Sequence, residues 1–502
     1  MKVWTNRHET FKQNIDNLFD VTNGDTGNLL ADYNATTSAI GQFIQTAARQ
    51  GKEVRALGGG WSFTKVATTN GWMLNTKHLN AVFTISAANI APQYAGPRDQ
   101  LLFAQCGNSV QELNNYLKRA NRSLKTSGAS NGQTIVGAFS TGTHGAAIDF
   151  GATQDFIVGM HIILGANNHL WLERASHPVV SSAFIQKLQT RLVQDDELFN
   201  AALMSFGSCG FIHGVMLETE PLYLLECYRQ QLPYNESLQH IMATLDFSKA
   251  TFKPHGNERP FHFQVVVNPY DMKDGIYVTT IYKRPYTPHY KPWIRDFTKA
   301  GPGDDAPAFL GKLAATVPHL SPVVVNQLVK TTYAPFEGYW GTSGEIFYNT
   351  DARGKICSTG FGIPIRYVND VQALLMELNQ TAGPFAGVFA YRYVKASKAT
   401  LSFTPFEPTC VVEIDGAESE VSMRYYRAVW QALLQRNIPH AYHWGKMHNL
   451  NAATVKHLFG NKRRQWLEAR SKLLPPQTIK VFNNTALLEL GLTEQIAAPL
   501  PV

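Results

Sequence analysis

From Thr126 to Gly145 the chain runs for twenty residues, TSGASNGQTIVGAFSTGTHG, on glycine, hydroxyl and amide side chains with little apolar content. As core, such a stretch would be costly, because every buried N–H, O–H and carboxamide needs a partner. What it offers is a dense array of donors, suited to a pyrophosphate and a polar ring system. Alone, it leaves a bland glycine-rich loop open. A second cluster precedes it, VRALGGGWSF at 54–63, where a strand-like run enters Gly58, Gly59 and Gly60 and then Trp61, Ser62 and Phe63. Consecutive glycines let amide N–H groups form a concave anion site. No helix opens on the third glycine, so this is not a GxGxxG fingerprint, and by itself it reads more readily as a plain turn. A third cluster, FGSCGFIHGV at 206–215, reads by itself as a close-packed turn before a strand.

The 502 residues, 44% hydrophobic and 17% charged with mean hydropathy −0.18, predict a globular protein. At roughly 100–200 residues per domain this length suits two or three domains. The charge of +7 is scattered except from Lys462 to Lys472, where Trp466, Leu467 and Leu473 interleave. That pattern predicts a solvated amphipathic helix face, not a nucleic-acid patch. Five cysteines, an odd number with no CxxC, match no zinc spacing, so a reduced, cytoplasmic setting without metal is expected. The charged first twenty residues lack a signal-peptide core, and no apolar run approaches the roughly 18 residues of a membrane span.

Periodicity predicts an α+β protein. Helices are expected over Thr36–Gln50, Ser109–Ala120, Val371–Asn379 and Val421–Gln435, the first with Asn34 or Thr36 as cap. Strands are expected over Glu53–Leu57, Leu101–Ala104, Phe156–Leu164, Leu170–Leu172, Gly362–Val368 and Thr409–Ile414. Long alternating runs at Phe261–Val267 and Gly275–Tyr282 suit antiparallel pairing, and 301–322 reads as a Pro/Gly-rich loop around a short helix. The texture divides the chain into a cofactor domain (1–225), a sheet-rich substrate domain (226–439) and a C-terminal return segment (440–502).

Together, GGGxSF, then TxGxxxGQTIxGxxxTGTHG, then GxxGxI resemble the FAD-binding domain of the vanillyl-alcohol-oxidase family. Residues 441–448, AYHWGKMH, are similar to the C-terminal HWGK of aldonolactone and alditol oxidases. Residues 388–393, VFAYRY, resemble their substrate-domain strand, and Trp4-Thr5-Asn6 their opening. The resemblance implies a two-subdomain FAD-binding domain with an antiparallel-sheet cap, oxidising a CH–OH group of a polyol, sugar lactone or other alcohol. Hydride would pass to flavin N5, with dioxygen or another carrier as acceptor. It implies FAD contacts from Gly58, Gly59, Gly60, Trp61, Ser62 and Phe63, and from Gly128, Thr134, Gly137, Ala138, Ser140, Thr141, Gly142, Thr143, His144 and Gly145. Ile212 and His443 would contact the flavin nucleotide as well, while Lys446 would reach the substrate or the flavin N1–C2 region and Arg392 a substrate oxygen. Lys446 could act as fixed cation or as base. His144 is expected to hold its loop, and His161, His213 and His448 to be structural.

Two departures carry expectations. Trp61 stands where many relatives bear a flavin-linking histidine, and no cysteine lies between Cys106 and Cys209, so FAD is expected to be held non-covalently. Ala390 stands where relatives carry glutamate, which makes a less polar alcohol plausible. A flavin-fold binding protein without turnover, or an oxidase of a non-sugar natural product, is the alternative.

Overall fold

A computed structural model describes residues 2–296, 299–303, 322–348 and 356–493. Most of the expected 301–322 loop therefore lies outside the described residues. The N-terminal part builds two sheets. Strands Asn17–Thr22, Trp72–His78 and Val54–Leu57 form a small parallel sheet, with Trp72–His78 in the middle. A six-stranded sheet follows, in the order Arg191–Gln194, Asn168–Glu173, Ile157–Gly165, Phe211–Glu218, Leu101–Gln105 and Val82–Thr84. Helix Leu29–Arg49 lays Tyr33, Ile40, Ile44 and Ala47 inward against it. This helix starts earlier than the pattern predicted. Its cap is Asn28, whose side chain accepts from Ala31 N–H at 3.1 Å, and Asn34 and Thr36 lie within the helix. Ser109 does cap Val110–Arg119, through a reciprocal capping box with Glu112.

Eight strands make the second layer, every pairing antiparallel: Phe336–Gly341, Tyr223–Gln231, Ile276–Pro285, His262–Val267, Gly387–Val394, Thr409–Ala417, Ile356–Pro364 and Ala441–Tyr442. The last strand comes from the C-terminal segment, which thus completes the sheet's edge. The strand expected over Gly362–Val368 runs instead over Ile356–Pro364, and helix Val368–Thr381 begins at once after a tight turn, because Pro364 has no N–H for a further rung.

Alternation along Gly387–Val394 divides the sheet's two faces. Phe389, Tyr391 and Tyr393 join the large core beneath helices Val368–Thr381 and Glu420–Gln435, where Phe389 and Phe385 stack on Tyr425. Val388 and Ala390 join a separate apolar cluster on the other face, and Arg392 shares their phase.

The basic run is only partly solvated. On helix Asn461–Leu473, Lys462, Arg464 and Lys472 face solvent, but Arg463 and Arg470 are buried. Arg470 donates to Ser208 O at 3.0 Å and Asn483 Oδ1 at 2.6 Å, and Arg463 to Gly491 O at 2.7 Å. Arg470 thus ties the C-terminal segment to the loop at Ser208, while Arg463 braces that segment against its own end. All five cysteines are free and buried. Among the described residues no helix is long and apolar enough to cross a membrane, and no histidine, cysteine and carboxylate group could hold a metal.

Candidate active site

The first glycine loop leaves strand Val54–Leu57 and meets the second at close range. A Cβ on Gly58 would overlap the Thr134 hydroxyl, and one on Gly59 would come within 2.6 Å of the Trp61 ring and 2.9 Å of Gly132 O. Of the three glycines only Gly60 has a positive φ, at +69°. The C-terminal segment then locks onto this loop: Phe63 N–H donates to Gly445 O at 2.8 Å and the Thr64 hydroxyl to Trp444 O at 2.9 Å. Trp444 anchors the turn, buried against Phe206 and Phe459 and donating to Leu401 O.

That turn crosses strand Ile356–Pro364. His443 N–H donates to Gly360 O at 2.9 Å and Met447 N–H to Ser358 O at 2.9 Å. Gly360 leaves room for the Lys446 stem, whose Cδ would lie 3.1 Å from a Cβ there. The stem carries Nζ to Glu413 on the neighbouring strand, with Asp415 Oδ1 3.6 Å away. Glu413 is the register partner of Ala390 and the diagonal neighbour of Arg392, whose Nη1 lies 2.9 Å from Glu413 Oε2. Arg392 Nε also donates to Gln264 Oε1 at 3.2 Å. The carboxylate expected to be missing with Ala390 is thus present, one strand over. The departure at position 390 therefore leaves an anion beside Arg392.

Electrostatics fix the charge states. Burial opposes ionisation of Glu413, but Arg392 and then Lys446 hold its carboxyl well below the usual range. Burial likewise opposes the Lys446 ammonium, yet Asp415 and Glu413 raise its pKa, so it is a cation and not a resting base. Burial raises the Asp415 carboxyl, with Glu413 adding to it. His443, which accepts from Gly445 N–H at 3.0 Å, is pushed well below its ordinary value by burial, then by His144 and Lys446. The His144 Nδ1 lies 2.9 Å from Gly145 O, an acceptor only, so Nδ1 carries the proton and holds the loop. Its Nε2 is left as an acceptor, 3.7 Å from Glu413 Oε1.

These groups line one groove. A hollow of about 1170 Å³ takes in Gly58–Phe63, Gly128, Thr143, His144, Arg392, Glu413, His443 and Lys446. A second, of about 610 Å³, reaches Ser140, Gly207, Gly210 and Ile212. Ala56, Gly58, Ala67, Thr134, Gly137 and Thr141 border both, so the two adjoin. Ala138, Gly142 and Gly145 lie off it: Ala138 is core, Gly142 turns at φ +87° against Phe403, and Gly145 packs on Ser127 O. His161 and His213 are buried elsewhere, bonded to Tyr33 and Thr37. Glu413, Asp415 and His8 were not anticipated. The only sequence signal for the first two was a carboxylate at alternate positions in an otherwise apolar strand, VVEID.

An elongated, amide-lined groove with charge at one end fits FAD. Arg55, 1% exposed at the second hollow, keeps Nε and Nη2 unpartnered among the described residues, as Trp61 keeps its indole N–H. Such buried donors call for an acceptor from a ligand. Fold and groove together define an FAD-dependent oxidoreductase. The chain matches the FAD binding domain family over residues 33–172 and the D-arabinono-1,4-lactone oxidase family over residues 249–487. In these two regions it is similar to the aldonolactone oxidases, and it acts as an FAD-dependent oxidoreductase on CH–OH donors. An L-gulono-1,4-lactone dehydrogenase of Mycobacterium tuberculosis is 23% identical over 83% of this chain and 86% of that one. A D-arabinono-1,4-lactone oxidase of Candida albicans is 26% identical over 40% of this chain and 34% of that one. Among solved structures, a cholesterol oxidase of Brevibacterium sterolicum superposes with a TM-score of 0.69 at 12% identity, covering 97% of this chain and 96% of that one. A chitooligosaccharide oxidase gives 0.58 at 11% identity over 96% and 93%. These two establish the fold alone.

Proposed function

We propose that the protein oxidises a hydroxyl-bearing carbon of an aldonolactone or related polyol, with FAD held non-covalently and dioxygen as acceptor. In this reading residues 1–225 hold the cofactor, 226–439 the substrate, and 440–502 return Lys446 and His443 to the flavin. The observation that carries it is Glu413, shared by Arg392 and Lys446 in the same hollow as the glycine loops. An ionised carboxylate between two cations binds hydroxyl groups on either side and is costly to bury under a hydrocarbon skeleton.

FAD, when bound, supplies the hydride acceptor. Arg392 donates to a substrate oxygen and fixes which carbon faces the cofactor. Lys446 places a permanent positive charge where negative charge develops. The hydroxyl proton passes to His144 Nε2, which lies 3.7 Å from Glu413 Oε1. His443, kept neutral, holds the turn that carries Lys446.

Anaerobic mixing of the yellow protein with L-gulono-1,4-lactone, D-arabinono-1,4-lactone, a five-carbon polyol and a sterol tests this. Bleaching by a lactone or polyol is expected. Bleaching by the sterol alone would overturn the substrate class. Peroxide release in air identifies the acceptor, and its absence removes dioxygen.

A further inference from the structure

The N-terminal hairpin, Lys2–Thr5 paired with Lys12–Ile15, precedes both matched family regions, which begin at residues 33 and 249. Yet its connecting loop closes one wall of the groove. Arg7 N–H donates to Gly60 O at 2.9 Å and Asn6 Nδ2 to Ser62 O at 3.0 Å, stitching it to the first glycine loop. His8 thereby lies flat on Phe63, with ring centroids 4.3 Å apart and planes 1° from parallel, and edge-on to Trp61 at 5.7 Å. It lines the larger hollow at 2% exposure, and its Nδ1 is buried without a hydrogen-bond partner.

We infer that His8 is a substrate-binding residue, a neutral imidazole that hydrogen-bonds a second oxygen of a polyhydroxylated substrate whose reacting hydroxyl is held by Arg392, Glu413 and Lys446. An imidazole kept dry and unpaired costs about 1–3 kcal/mol. If only the stack on Phe63 mattered, phenylalanine would serve without that cost. The missing partner has to come from whatever fills the hollow. The substrate is favoured over the cofactor by position. Phe63, beneath the ring, packs against the apolar cluster of Val388 and Ala390 on the substrate sheet. The hollow that reaches Ile212 is lined by neither His8 nor Phe63. Charge agrees. Burial, Arg7 and then Lys446 push His8 down to about 4, so at neutral pH one nitrogen donates and the other accepts, as a hydroxyl requires. Arg7, Lys446, Arg392, Glu413, His144 and His443 are the charged and titratable groups that share this hollow or border the ring, and the cations Arg7 and Lys446 add to burial in keeping His8 neutral.

This assignment rests on the CH–OH reading above, and one stopped-flow experiment separates the two. FAD-loaded His8→Phe keeps the stack and removes both nitrogens; His8→Gln restores a donor and an acceptor. Each is mixed anaerobically with L-gulono-1,4-lactone or the polyol that reduces the parent protein. The dissociation constant comes from the concentration dependence and the limiting rate from its plateau. Loss of one hydrogen bond to substrate predicts about a tenfold weaker dissociation constant in His8→Phe, a limiting rate within about threefold, and partial recovery in His8→Gln. FAD per chain, read from the visible spectrum, should be unchanged. A His8→Phe constant within about twofold of the parent would overturn the assignment, as would loss of FAD, which would turn the imidazole toward the cofactor. A parent protein that no lactone or polyol perturbs or reduces would overturn the CH–OH reading and this assignment together.

Discussion

Lys446 and Trp61 give the plainest consequences of single side chains. Held charged by Glu413 and Asp415, Lys446 contributes a cation that does not depend on neutral-range pH. Lys446→Met keeps the stem over Gly360 and removes the charge. Anaerobic flavin reduction should slow by roughly a hundredfold or more, equivalent to about 2.7 kcal/mol, with FAD content nearly unchanged. Near-normal reduction would take Lys446 out of the chemistry. The variant also leaves Glu413 with Arg392 alone, so a modest drop in thermal midpoint is expected beside the rate effect. Trp61, clamped by the Arg7 guanidinium 4.3 Å above its ring, offers no nucleophilic nitrogen. Acid precipitation should therefore release all of the yellow colour to the supernatant, and flavin retained by the pellet would show a covalent link.

At the scale of an element, the glycine loop works through absence of side chains. Gly59 does not need glycine for its backbone angle, since only Gly60 is left-handed; it needs glycine for space, with the Trp61 ring and Gly132 O within 3 Å of where a Cβ would stand. Gly59→Val forces the loop apart, at the cost of about 1–3 kcal/mol typical of overpacking. The purified variant should be folded by circular dichroism and nearly colourless. Stoichiometric FAD in it would show that the loop is no cradle.

For the whole molecule, buried neutral histidines tie stability to pH. Burial pushes His213 and His262 down to about 3 and His448 to about 4. Their folded pKa values lie below the ordinary 6.5, so the unfolded chain takes up protons first as pH falls. The stability they allow is complete above pH 6.5 and is lost progressively toward pH 3, at up to about 1.4 kcal/mol per pH unit for each group. Thermal midpoints at pH 7.5, 6 and 5 should decline as one transition, because Arg470 donates to Ser208 O and Trp444 packs on Phe206 while donating to Leu401 O. A midpoint flat from 7.5 to 5 would show these histidines solvated.

Much of this was legible in the residues taken in order. The three glycine clusters, the apolar periodicities and the turn chemistry are local properties, and they determined the cofactor groove, most helices and the alternating strands. Helix ends were less legible, since Asn28 caps a turn whose inward residue, Tyr33, acquires its partners only across the sheet. Arg463 and Arg470 looked solvated because their acceptors are backbone carbonyls distant in sequence. The carboxylate of the site was the largest omission. Ala390 and Glu413 stand twenty-three positions apart in the chain, and antiparallel register alone makes them neighbours. His8 stands two residues past the Trp4-Thr5-Asn6 opening and is not part of it, and only the hairpin's closure on Gly60 brings it to the hollow. The sequence by itself determined which cofactor this protein holds, because that depends on contiguous loops. Tertiary structure decided which charges share the hollow, because side chains from separate segments converge there, and no local pattern encodes their distance.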